Sequence, residues 1–162
     1  MISDQYVLFL LNSDIFALPF SSIQEIARLP EEITCLPRMP SHIDGVINLR
    51  GNVISVINLK RLFDMPDIDK RTIRQLLLID QKGTLMGLVV DDVIDILTIG
   101  SLQINNKIAE SYSHTKNCLN GTAVVDNRIV LLLNITRLKT EILQLKEDME
   151  ERYDSFIGFK CL

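Results

Sequence analysis

The chain repeats itself, and the repeat limits what it can fold into more than any other feature. Sliding Ile15–Pro30 forward by seventy places sets it on Leu85–Gly100 without a gap: Leu18 meets Leu88, Phe20 meets Val90, Ile23 meets Val93, Glu25 meets Asp95 and Ile26 meets Ile96. Gln5–Asn12 falls on Gln75–Lys82 in the same register. A second stretch matches at a shift of seventy-six, where Gly45 meets Gly121, Asn58 meets Asn134, Arg61 meets Arg137 and Leu62 meets Leu138; one connection has grown by six residues. Self-similarity at a fixed period marks a duplicated structural unit. The two units run from about 5 to 63 and from 75 to 138. A unit this small buries too little apolar surface to be comfortable alone, and two of them pressed around a common core remove the difficulty.

Within each unit the strand signals are short apolar runs bounded by turn residues. Tyr6–Leu11 and Ile15–Phe20 around a turn at Asn12, Ser13 and Asp14 predict a hairpin, and Ile23–Ile26 a short half-buried element. Pro30, Pro37 and Pro40 confine the segment between them to extended or edge positions, because proline cannot donate to a ladder. Leu76–Ile79 and Leu85–Ile99 flank a turn at Gln81–Gly83, and Leu119–Val125 and Arg128–Leu133 flank one at Asp126–Asn127. The expected fold is all-β: two five-stranded barrels, related by the repeat and sharing a hydrophobic core. Residues 1–139 make this domain. In 140–162 we expect a helical extension and tail: Asn134 can cap a helix from near Ile135, on which Leu138, Ile142, Leu145 and Met149 recur at steps of four and three. That stripe is short for an independent coiled coil and is expected to pack back on the barrels. Phe156, Ile157 and Phe159 in the tail then need a dock on this chain or a neighbour.

Ile43 to Leu62 carries the strongest strand signal, two aliphatic runs broken by Arg50, Gly51 and Asn52 and closed by a short helical turn, LKRLF. Glycine and asparagine reach positive φ at least cost, so a tight hairpin with its tip at Arg50, Gly51 and Asn52, the last two as turn residues, is expected. Arg50 is the exception in this apolar ribbon. A guanidinium there must reach solvent or find a carboxylate.

Composition removes several function classes. With 47% hydrophobic and 23% charged residues the chain fills a core and is not disordered. Its apolar runs of four to eight residues are too short to span a bilayer, and the start, MISDQYVLFLL, has no basic region and carries Asp4, so neither membrane insertion nor a secretory signal is expected. A net charge of −4, no Trp and 6% aromatics argue against nucleic acid, which needs neutralised phosphates or stacked bases. Cys35, Cys118 and Cys161 are an odd number at wide spacing, which fits a reducing cytoplasm better than a disulfide framework. His42 and His114 are far apart in sequence, so no metal and no cofactor is expected. Asp91 and Asp92 are the one tempting acidic pair for catalysis, yet strand neighbours point to opposite faces, and these residues are expected to bend or end a strand.

GVINLRG at Gly45–Gly51, followed by VISVINL and later by GLVVDDVIDIL, resembles the signature of the CheW-like domain of bacterial chemotaxis. The resemblance covers about Gln5 to Lys139, with two departures: Ser55 where the family usually has Pro, and Asn58 where it usually has Asp. It implies two SH3-like barrels around a shared core and a non-catalytic, cytoplasmic adaptor recruited to membrane-associated receptor arrays. Such an adaptor couples the signalling tip of methyl-accepting chemoreceptors to the regulatory domain of a CheA-type histidine kinase. Ile23, Glu25, Gly45, Arg50 and Leu76 match family positions implicated in binding receptor or kinase. On this resemblance Glu25 is expected to be the carboxylate that Arg50 needs. The competing readings are a small-barrel nucleic-acid-binding module and an adaptor of a non-flagellar chemosensory pathway, serving pili or another output.

Overall fold

The computed structural model describes residues 3–68, 73–107, 115 and 117–153. From the first unit come β1 (Ser3–Leu11), β2 (Asp14–Pro19), β3 (Ile23–Arg28), β4 (Ile43–Leu49), β5 (Asn52–Asn58) and a short helix, α1 (Leu59–Leu62). The second unit supplies β6 (Gln75–Gln81), β7 (Thr84–Val90), β8 (Asp92–Gly100), β9 (Ile104–Asn105), β10 (Leu119–Val125), β11 (Arg128–Leu133) and α2 (Ile135–Tyr153). The proline-rich segment touches the ladders only through a Thr34–Val46 bridge.

Each sheet draws on both units. One has the order β8-β1-β2-β11-β10-β9 and the other β3-β6-β7-β5-β4. The first two strands of each unit therefore join the later strands of the other, β1 and β2 with the four from β8 to β11 and β6 and β7 with the three from β3 to β5, and the units share out their strands rather than closing separately. The symmetry reaches individual registers. The parallel pairing of Leu131 with Phe16 reappears as Ser55 with Met86, and the bulges that leave Gln24 and Ile94 unpaired are seventy residues apart.

Strand alternation explains how so thin a sheet can be buried on both faces. Val7, Phe9 and Leu11 on β1 and Leu77 and Ile79 on β6 point into a core lying between the sheets, which also takes Ile57, Leu88 and Leu131. The alternate residues fill two smaller cores: Leu8, Ile15, Ala17, Val130 and Leu132 inside the first sheet, and Ile54, Val56, Leu76, Leu78 and Val89 inside the second. Phe9, Phe16 and Phe63 stack in sequence through the shared core, with ring centres 6.1 and 6.0 Å apart.

The Asn/Arg/Leu trio of the repeat is a helix start used twice. Asn58 Oδ1 accepts from the Arg61 amide at 3.2 Å, Asn134 Oδ1 accepts from the Arg137 amide at 3.0 Å, and Leu62 and Leu138 are both buried. Leu138 and Ile142 pack into the shared core, as the apolar stripe of α2 requires. Leu145 and Met149, the tail residues Phe156, Ile157 and Phe159, and His114 and Cys161 fall outside the described side chains. Cys118 is buried, with its backbone amide donating to Thr115 O at 3.0 Å. Among the described residues no helix is long and apolar enough to cross a membrane.

Candidate partner-binding surface

β3 and β4 are the two ends of the second sheet, and the hairpin of β4 and β5 brings its tip back to β3. The turn consists of Arg50 and Gly51, with φ of 52° and 86°, between paired Leu49 and Asn52. Positive φ at both central positions is the type I′ geometry whose twist suits a hairpin. Asn52 is thus the first strand residue and not part of the turn, a correction to the expectation. Arg50 takes the left-handed position instead. The Gly51 amide donates to Asn48 Oδ1 at 3.0 Å, which ties the turn from below.

This conformation aims the Arg50 side chain at the sheet's other end. Its Nη2 donates to Glu25 Oε2 on β3 in a direct ion pair. The pair closes the sheet across its seam while staying accessible, with Arg50 67% and Glu25 38% exposed. Hydrogen bonding to Glu25 followed by its charge raises the Arg50 pKa further, so the guanidinium is permanently charged. The bulge beside Glu25 leaves the adjacent ladder irregular, which is how a strand re-aims a side chain at a rim.

The other expected site residues sit deeper. Ile23 is half-buried against the shared core, and the Leu76 side chain is fully enclosed in the second sheet's inner core. Gly45 is buried at φ 147°, and a Cβ there would lie 2.3 Å from the Thr34 carbonyl oxygen. Gly45 and Leu76 therefore shape the surface from beneath and offer no side chain to a partner. Gly51 is needed for its φ alone, since nothing lies within 4 Å of an added Cβ. Val53, exposed on β5 beside the tip, was not anticipated; it reads in sequence as one more aliphatic strand residue.

Asp91 stands at the corner between β7 and β8, is buried, and is paired with Lys60 Nζ at 2.9 Å. Among the described residues no group of three or more His, Cys, Asp or Glu could hold a metal ion. The surface offers an accessible ion pair at the hairpin tip and an exposed aliphatic residue, Val53, on β5, features that suit association with another protein.

The profile of the CheW-like domain matches residues 5–142. The chain belongs to the CheW-like domain family. It is 30% identical over 138 residues to a probable chemotaxis protein CheW of Rhizobium etli, covering 85% of this chain and 88% of that one. The chemotaxis protein CheW of Klebsiella aerogenes is 27% identical over 139 residues, with 85% and 82% covered. The scaffolding protein TtCheW of Thermoanaerobacter tengcongensis superposes with a TM-score of 0.73 at 26% identity, covering 82% of this chain and 85% of that one. The chain also matches 15% of the length of a chemotaxis protein CheA of Borreliella burgdorferi, at 23% identity. The CheW-like chain is a chemotaxis adaptor, and the family to which it belongs is a non-catalytic one.

Proposed function

We propose that this CheW-like chain holds a chemoreceptor signalling tip and the regulatory domain of a CheA-type histidine kinase together through the rim where Glu25 meets Arg50. The carrying observation is the exposed ion pair that joins the edge strand β3 to the β4–β5 tip. A pair held in one geometry presents its charge without the ordering cost a free arginine would carry into a complex. The likeness to a segment of a CheA protein supports a kinase-side partner built from the same domain. The chain works in the cytoplasm, recruited to membrane-associated receptor arrays.

The test is capture of a purified receptor signalling tip and of the kinase regulatory domain, by wild type, Arg50→Ala and Ile23→Asp, with the melting temperature of each followed in parallel. Wild type captures both; Arg50→Ala weakens capture at least about tenfold, a loss of about 1.4 kcal/mol expected if a partner covers the pair and desolvates it, while its melting temperature stays that of wild type. Capture of neither partner by wild type removes the adaptor coupling, whereas undiminished capture by Arg50→Ala removes only this surface.

A further inference from the structure

Where the two units are joined, polar side chains from five elements converge. Lys60 leaves α1 with its side chain 5% exposed, and its Nζ lies 2.7 Å from Asp67 Oδ1, 2.9 Å from Asp91 Oδ1 and 3.3 Å from Asn12 Oδ1. Asp91, 1% exposed, accepts from the Asn12 amide at 2.7 Å in the β1–β2 turn, and its own amide donates to Leu10 O at 3.0 Å. Arg74, just before β6, pairs with Asp67 at 3.1 Å and brings Nε to 3.7 Å from Asp91. Asn12 also holds the segment after α1, donating to Pro66 O at 2.7 Å and accepting from the Ile68 amide at 3.3 Å.

The repeat shows that the β unit does not need this network. The two shifts carry Asn12 to Lys82, Lys60 to Thr136 and Asp91 to Ser21, residues that cannot reproduce it. The charges occur only at the crossing between units, and they fall into two layers. Lys60 and Asp91 are dry, and separating them would strand a buried charge. Asp67 is 57% exposed, where an ion pair is weak and screened by salt.

We propose that the network is a two-stage latch: Lys60 and Asp91 form a fixed inner stage, and Asp67 an outer stage that releases the strap Asp64–Ile68 while Phe63 stays in the core and the barrels stay joined. Asp67 is the strap's one carboxylate held by two cations, Lys60 and Arg74, and their hydrogen bonds, Lys60's the larger, keep its pKa below the ordinary value. Arg74 in turn forms part of the wall of a cleft of about 420 Å³ with Arg28, Leu29, Ile33 and Ile73. Opening the outer stage therefore loosens that wall as well as the strap. Segments tied by few buried contacts open at low free energy without global unfolding, the behaviour a releasable strap requires.

Native-state hydrogen exchange on the chain alone tests this, with no receptor or kinase present, so its outcome is independent of the adaptor proposal. In Asp67→Asn the Met65 and Ile68 amides lose protection about tenfold or more while core amides of β1, β5 and β7 keep theirs, as expected of local opening. Added salt near half-molar reproduces part of that loss in wild type, where the Debye length falls to about 4 Å. Unchanged protection at Met65 and Ile68 in Asp67→Asn overturns the outer stage. Equal loss in the core strands overturns the separation into two stages.

Discussion

Two hairpin tips occupy equivalent places in this duplicated fold and differ in the sign of the charge they carry. Arg50 and Gly51 turn the first, and Asp126 and Asn127 turn the second, with φ of 50° and 61° in the same type I′ conformation. Across the seam, Glu25 on β3 corresponds to Asp95 on β8. One rim thus pairs a cation with an anion, and the other carries carboxylates at both places, with Val124 and Ile129 exposed as a cross-strand apolar pair. The backbone is common to both and the chemistry is not. What both units share, such as the bulge, the buried glycine and the helix cap, serves the fold; what one has alone serves the joint between units or a partner.

The sharpest break in that comparison lies at the buried corner. Asp91→Ala takes the buried carboxylate from Lys60, leaving it the exposed Asp67 as counter-charge, and removes the acceptor of the Asn12 amide, and should cost about 3 kcal/mol in chemical denaturation. Its counterpart Ser21 is exposed, so Ser21→Ala should fall within about 0.5 kcal/mol of wild type. Equal costs would mean that the corner is demanded by the β unit and not by the crossing. Gly45→Ala and Gly121→Ala test the opposite expectation. A Cβ would lie 2.3 Å from Thr34 O in one and 2.5 Å from Asn105 O in the other, at φ of 147° and 158°. Both should therefore lose about 2–3 kcal/mol. A large loss at only one of them would show that the symmetry of the two bulged hairpins is superficial.

Much of this was legible in the sequence because duplication makes a chain its own comparison. The strands, the Asp126–Asn127 turn and the cap at Asn134 could be read from local pattern, and the Glu25–Arg50 pairing from the family resemblance joined to a charge that needed a partner. The exchange of strands between units could not, because parallel pairing of β5 with β7 leaves no mark on either strand. Leu76, carried over as a binding position by the resemblance alone, lies on a strand whose pattern does not show which way it points. Period-two alternation says that one face differs from the other, but here both faces are buried, in different cores. Lys60 escaped notice as one of two cations in LKRL, yet Leu59 and Leu62 are buried around it, and a lysine so flanked must find carboxylates.

The smallest effect asks why Asn58 stands where the family usually has Asp. Both residues cap a helix equally well. Asn58, however, also donates through Nδ2 to Asp44 Oδ2 at 3.2 Å, and Asp44 is held by Arg61 at 2.9 Å. An aspartate would face that carboxylate with no proton to offer, so Asn58→Asp should lose about 1 kcal/mol at neutral pH. In the second unit the corresponding donor reaches Asn120, an amide that can reverse its own role. Asn134→Asp should therefore leave the melting temperature nearly unchanged. The double variant Asn58→Asp with Asp44→Asn should regain what Asn58→Asp loses, because the donor then comes from the opposite side; failure to regain it would place the cost in the cap itself.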